Sequence, residues 1–111
     1  MSKMKKSEVK QYLTGGKVYR YNIEVTNQFK KDFVLCESQN LDVDLVCEMV
    51  KILATDGKLP ANYKPHKLSG NFENVWECHI KNDWVITWLQ NDNEFVLLFL
   101  STGSHAYVLG M

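Results

Sequence analysis

Three histidines, His66, His79 and His105, all fall in the second half of the chain, each beside a loop or a strand end. Imidazole exchanges protons near neutral pH, so several of them near a carboxylate can take a proton from one oxygen and deliver it to another. Along Asn74 to Ile80 the side chains alternate, with Val75, Glu77 and His79 on one face and Trp76, Cys78 and Ile80 on the other. The apolar trio suits the core, which leaves Glu77 and His79 on the open face. Asp83 follows at the turn, and His105 lies near the end of the neighbouring strand. These spacings favour a His/Asp/His cluster on one face.

Other chemistries fit less well. A metal site built from Cys78, His79, Asp83 and His105 would need two consecutive strand residues, which point to opposite faces, to reach one ion. Neither Ser101 nor Ser104 has the elbow or adjacent base of a nucleophile. Gly103 reads as a turn, since no glycine-rich pattern or following helix supports a phosphate cradle. Taken singly, His66 reads as a solvated loop histidine, Asp83 as a turn acid, and Trp76, Trp84 and Trp88 as packing on one face.

The elements that must position these groups follow from periodicity. Residues 1–16 form a polar, Lys-rich extension with a helical turn or two around Val9, Tyr12 and Leu13, closed by Gly15-Gly16. Tyr19, Tyr21, Ile23 and Val25 alternate with polar residues and predict a first strand. Thr26 or Asn27 caps a helix with Phe29, Phe33 and Cys36 as its stripe, ending near Ser38. Asp42 or Asp44 caps a second, with Leu45, Val46, Met49, Ile52 and Leu53 inward, stopped by Asp56-Gly57. Lys58 to Gly70 reads as a connecting loop. Asn74 to Ile80, Trp84 to Gln90 and Glu94 to Leu100 predict three antiparallel strands, and a short tail strand closes the chain near Leu109. Strand, two-helix hairpin and antiparallel meander make an α+β domain with its helices on one sheet face.

The chain has 111 residues, 45% hydrophobic and 23% charged, the range of one globular domain. Its longest apolar run, Phe95 to Leu100, is far too short to span a membrane, and no apolar stretch follows the basic start as in a signal peptide. A cytoplasmic location is expected. Cys36, Cys47 and Cys78 are widely spaced and form no paired motif, so reduced, mostly buried thiols are expected. Thirteen Lys and Arg balance thirteen Asp and Glu, so any nucleic-acid contact must come from a local patch.

Four segments carry a family resemblance: Asn27-Gln28-Phe29-Lys30-Lys31-Asp32, Pro65-His66-Lys67-Leu68-Ser69-Gly70, Glu77-Cys78-His79-Ile80-Lys81-Asn82-Asp83-Trp84, and Thr102-Gly103-Ser104-His105. In order and spacing they resemble the YafQ branch of the RelE-type bacterial toxins, over residues 18 to 109. The first is common to the wider superfamily; the Glu-Cys-His-Ile and Asp-Trp pair is specific to the branch. The resemblance implies that residues 17–111 form a microbial-RNase-like RelE toxin fold and act as a ribosome-dependent endoribonuclease cutting mRNA in the A site. It implies no metal or other cofactor: the ribose 2′-OH attacks the adjacent phosphate and the 5′-oxygen leaves. The implied catalytic set is His66, His79, Asp83 and His105, with His105 as acid, Asp83 or His79 as base, and His66 orienting the phosphate. Trp84 matches the aromatic after the family's Asp. The implied partners are a RelB- or DinJ-like antitoxin from the same operon, the 70S ribosome with its mRNA, and operator DNA only through the antitoxin.

Two positions depart from the pattern. Ser101 stands where the family commonly has an Arg, and Leu109 where it has a closing aromatic. Charge stabilisation then falls to Lys64, Lys67, Lys81 or a protonated histidine, and base stacking to Tyr107 or Trp84. The alternative expectation is a catalytically weakened homologue serving as an antitoxin-binding module or operon co-repressor.

Overall fold

The computed structural model describes residues 4–110; the first three residues of the extension and residue 111 lie outside them. The elements in order are α1 (Val9–Thr14), β1 (Asn22–Val25), α2 (Asn27–Ser38), α3 (Asp44–Asp56), β2 (His66–Lys67), β3 (Trp76–Lys81), β4 (Trp84–Asn91), β5 (Val96–Ser104) and α4 (His105–Leu109). The strands form one sheet in the order β1-β5-β4-β3-β2. Only β1 runs parallel to its neighbour, pairing Asn22 with Val96 through Val25 with Phe99. Among the described residues no helix is long and apolar enough to cross a membrane.

The start of α2 and the ends of both long helices follow the sequence expectation; the start of α3 is corrected, since its N-cap is Val43, without a side-chain cap, rather than Asp42 or Asp44. Thr26 accepts the Phe29 amide at 3.0 Å and starts α2, whose Phe29, Phe33 and Cys36 are buried. The Asp42 carboxylate accepts the Asp44 amide at 3.2 Å, and Gly57, at φ 74°, ends α3. In α3 the fully buried residues are Val46, Met49, Val50, Leu53 and Ala54, whereas Leu45 and Ile52 are half-buried. The stripe is therefore turned slightly from the expected one, because α1 lies over the helices and sinks Val9 and Leu13 into the same core. The N-terminal extension is thus part of the hydrophobic core, anchored also by Tyr12, whose ring lies 5.9 Å from that of Phe33.

Three further expectations are corrected. The first strand begins at Asn22 rather than Tyr19, because the Tyr21 amide donates to the Ala54 carbonyl at 3.0 Å and holds the preceding residues away from the sheet. The segment from Lys58 to Gly70 contains the edge strand β2, with His66 paired to Glu77 and Lys67 to Trp76. The tail is helix rather than strand: Ser104 accepts the Tyr107 amide at 3.1 Å and starts α4, so a helix does follow Gly103.

The sheet has a helix-facing side and a side that carries the histidines. Cys78, Ile86 and Thr102 align across β3, β4 and β5 on the first; His66, Glu77, Thr87 and Ser101 align across β2 to β5 on the second. A bulge between Thr87 and Trp88 lets Phe99 pair with Trp88 while Ser101 pairs with Thr87, so Leu100 is the extra residue. Trp76 and Trp88 stack with ring centroids 5.9 Å apart, and Trp84 is buried on the same side, as the spacing of the three tryptophans predicts.

Candidate active site

Glu77 is the centre of the site and was not singled out as one of its residues by the alternation that placed it on the open face. It is 1% exposed. His66, from the edge strand, brings Nε2 within 3.2 Å of its Oε1, and His105, first residue of α4, brings Nε2 within 3.5 Å of the same oxygen. The two imidazoles thus stand over the carboxylate and bury it. Its other oxygen, Oε2, is buried without a hydrogen-bond partner among the described residues. The signal was present in the sequence, an acid alternating with His79 in a strand otherwise rich in apolar residues. Burial was not, because it depends on β2 and α4.

Proton counting constrains His66. Its Nδ1 lies 2.8 Å from the Lys64 carbonyl, which only accepts, while Nε2 faces Glu77. Both contacts are hydrogen bonds either with a doubly protonated ring against an ionised carboxylate, or with the proton resting on Glu77. Either way the ring is fixed at both ends. Lys64 adopts a left-handed backbone at φ 52°, which turns its carbonyl toward the ring. His105 differs, since its Nδ1 has no hydrogen-bond partner among the described residues. His79 is half-buried on the same face as Glu77, its Nδ1 3.4 Å from the Asn82 carbonyl.

Asp83 is tied to the first residue of α4. Its carboxylate accepts the His105 backbone amide at 3.2 Å and its carbonyl lies 3.1 Å from the same nitrogen. It therefore places His105 by holding the start of α4. The rest of α4 is held from the helix side. The Tyr107 hydroxyl donates to buried Asp32 at 2.7 Å, and the other Asp32 oxygen accepts the Thr102 amide at 3.1 Å. Gly103 fits beneath this ring, where an added Cβ would meet Tyr107 at 2.9 Å.

The expected RNA contacts separate. Ser101 is half-buried, its hydroxyl 2.6 Å from that of Thr87, on the face that carries Glu77. Lys64 is exposed beside His66, whereas Lys67, also exposed, turns to the opposite face of the sheet, its Nζ 5.6 Å from the Trp76 ring centre. Trp84 offers no free face: it is 7% exposed and its indole donates to Thr102 at 3.0 Å. Lys81, Trp84 and Tyr107 instead line a cleft of about 610 Å³ on the helix side of the sheet, together with Leu35 and Cys36. Leu109 is half-buried at the end of α4. Arg20 is far from the histidines in the fold, its guanidinium over the rings of Phe95 and Tyr21.

Among the described residues no group of three or more His, Cys, Asp or Glu is arranged to hold a metal ion. Cys78 lies on the helix-facing side, away from the histidines, and burial together with the nearby Glu77 pushes its thiol up to about 12.

A family model described as the bacterial toxin of type II toxin-antitoxin systems, YafQ, matches residues 21–110. The mRNA interferase toxin YafQ of Escherichia coli K12 is 30% identical over 90 residues, 80% of this chain and 96% of that protein. The crystal structure of the E. coli DinJ-YafQ toxin-antitoxin complex superposes with a TM-score of 0.74 at 29% identity, over 82% of this chain and 99% of the matched one. A metal-bound toxin from Helicobacter pylori matches with a TM-score of 0.72 at 31% identity, over 79% and 98%.

Proposed function

The chain belongs to the YafQ family of type II toxin-antitoxin toxins, and from that premise we propose that it is an endoribonuclease that cuts mRNA in the ribosomal A site without a metal ion. The observation that supports this reading is the pair of imidazoles from two separate elements on one buried carboxylate. In the reaction the 2′-oxygen bonds to phosphorus as its proton passes to a base, and the bond from phosphorus to the 5′-oxygen breaks as that oxygen receives a proton. The products are a 2′,3′-cyclic phosphate and a free 5′-hydroxyl.

The residues divide these tasks by their free atoms. His79 takes the 2′-proton, being on the same face with no hydrogen bond to its Nε2 among the described residues. His105 supplies the proton to the leaving oxygen through Nδ1. His66, held at both ring nitrogens, orients the phosphate and in its doubly protonated form offsets the charge that the family's Arg supplies at the position of Ser101. Lys64, two residues ahead of the edge strand, adds to that field. Asp83 is the positioning residue for His105. A cognate DinJ-like antitoxin encoded alongside is the expected partner that holds the toxin inactive.

The test is induced expression with and without the neighbouring gene, with mRNA 5′ ends mapped on translating ribosomes. Codon-phased cuts that vanish in His105→Ala are expected, and toxin stripped of metal with EDTA, then freed of the chelator, should cut mRNA on Mg²⁺-containing programmed ribosomes as fast as untreated toxin. Harmless accumulation with no new ends, in a protein that still binds the neighbouring gene product, would overturn the activity. Loss of cutting by the stripped toxin, restored by an added transition metal, would overturn its metal-free part.

A further inference from the structure

The balance of charge in this chain is a sum of two unequal parts. Residues 1–20 hold six cations (Lys3, Lys5, Lys6, Lys10, Lys17 and Arg20) and one acid, Glu8, for a net of +5. Residues 21–111 hold seven Lys against twelve Asp and Glu, a net of −5. The family match begins at residue 21, and the 90 aligned residues account for 96% of the E. coli protein. The cationic segment therefore lies outside what this chain shares with that relative, and the part that is shared is net acidic. A nuclease needs the opposite sign at its substrate.

From residue 4 onward the segment is built as a surface rather than a loose tail. Val9 and Leu13 fasten it to the core, and an ion pair of 3.1 Å joins Lys10 to Glu24. Between it, β1 and the turn before β5 runs a cleft of about 540 Å³, lined by Lys10, Lys17, Arg20, Tyr19 and Phe95, with Glu94 as its lining carboxylate. Lys17 and Arg20 are exposed and have no carboxylate within ion-pair distance among the described residues. Phe95 is 37% exposed, and the Arg20 guanidinium stands 4.9 Å from its ring centre. Cations interleaved with aromatic rings along a cleft suit an RNA strand, phosphates on the Lys and Arg, bases against the rings.

We propose that the N-terminal segment and the Lys17–Arg20 cleft form an RNA-docking surface, by which this otherwise acidic toxin holds ribosomal RNA. The proposal rests on the ribosome-dependent reading above. Its test compares the full-length His105→Ala chain with the same chain carrying Lys17→Gln and Arg20→Gln, by co-sedimentation with vacant 70S ribosomes between 50 and 200 mM KCl. Loss of two phosphate contacts should weaken binding about tenfold and lower the slope of log affinity against log salt by roughly 1.5. Lys17→Arg with Arg20→Lys should restore both, and Lys51→Gln with Lys58→Gln should change neither. Equal affinity and slope in the Gln variant, or no ribosome binding by either chain, would overturn the dock. So would unchanged ribosome binding with weakened antitoxin binding, which assigns the surface to a protein partner. Codon-phased cutting by the chain with His105 intact is scored separately. Absence of cutting with charge-dependent binding removes the nuclease reading and leaves the dock standing.

Discussion

Oε1 of Glu77 and Nε2 of His105 stand 3.5 Å apart, a contact between the middle of a strand and the first residue of the last helix. Because His66 shares that oxygen, removing its charge disturbs both rings at once. Glu77→Gln should lower cleavage by about a hundredfold. It should not lower the melting temperature correspondingly, since the carboxylate already leaves Oε2 buried without a partner among the described residues. Single-turnover cutting of ribosome-bound mRNA and a thermal melt of the same preparation decide it; a large fall in stability with intact cutting would refute it.

Ser101 occupies the row of His66, Glu77 and Thr87 on the face where the phosphate would lie. An Arg there adds a fixed guanidinium fork at the cost of one hydroxyl pair with Thr87. Ser101→Arg should raise the cleavage rate at least tenfold, with KM changing less than kcat, read from cleavage rates on programmed ribosomes.

Asp32 accepts from Gln28, Tyr107 and the Thr102 amide while 1% exposed. Asp32→Ala leaves those donors without their charged acceptor and should cost roughly 2–4 kcal/mol in urea unfolding. Tyr107→Phe removes one donor only and should cost about 1 kcal/mol. If α4 places His105, Tyr107→Phe should also lower kcat with little change in KM.

The Tyr21 hydroxyl donates to Asp92 at 2.6 Å and, with Gln90, holds that carboxyl below its ordinary value. The folded group therefore binds its proton less readily than the unfolded one. Its stabilisation is present above about pH 4 and is lost as pH falls through the lowered value. Asp92→Asn should flatten the acid limb of stability against pH, measured by urea midpoints from pH 2.5 to 7; an unchanged limb would show the pair to be energetically silent.

Sequence periodicity made the long elements legible, because burial imposes a period on them. The Phe29, Phe33 and Cys36 stripe of α2 and the Trp76–Trp88 register came directly from spacing. What escaped was short or decided at a distance. Two residues of β2 show no period, and five of α4 were read as strand because Val108 and Leu109 look extended without the Ser104 cap. Those two elements supply His66 and His105, so the histidines were recognised by type while the carboxylate joining them was not. The bond from the His105 amide to Asp83, the residue expected with His79 on the base side, joins a turn to the start of α4, and alternation does not reveal it.

The parallel pairing of β1 with β5 ties residues 22–25 to residues 96–99, and His105 comes only after that strand. During synthesis the N-terminal segment, α2 and α3 emerge long before the strand they must pack against. The sheet cannot close, nor His105 reach Glu77, until β5 and α4 have both emerged. Until then a nascent chain carries the helices and β1 with neither the closed sheet nor the pair of imidazoles on Glu77.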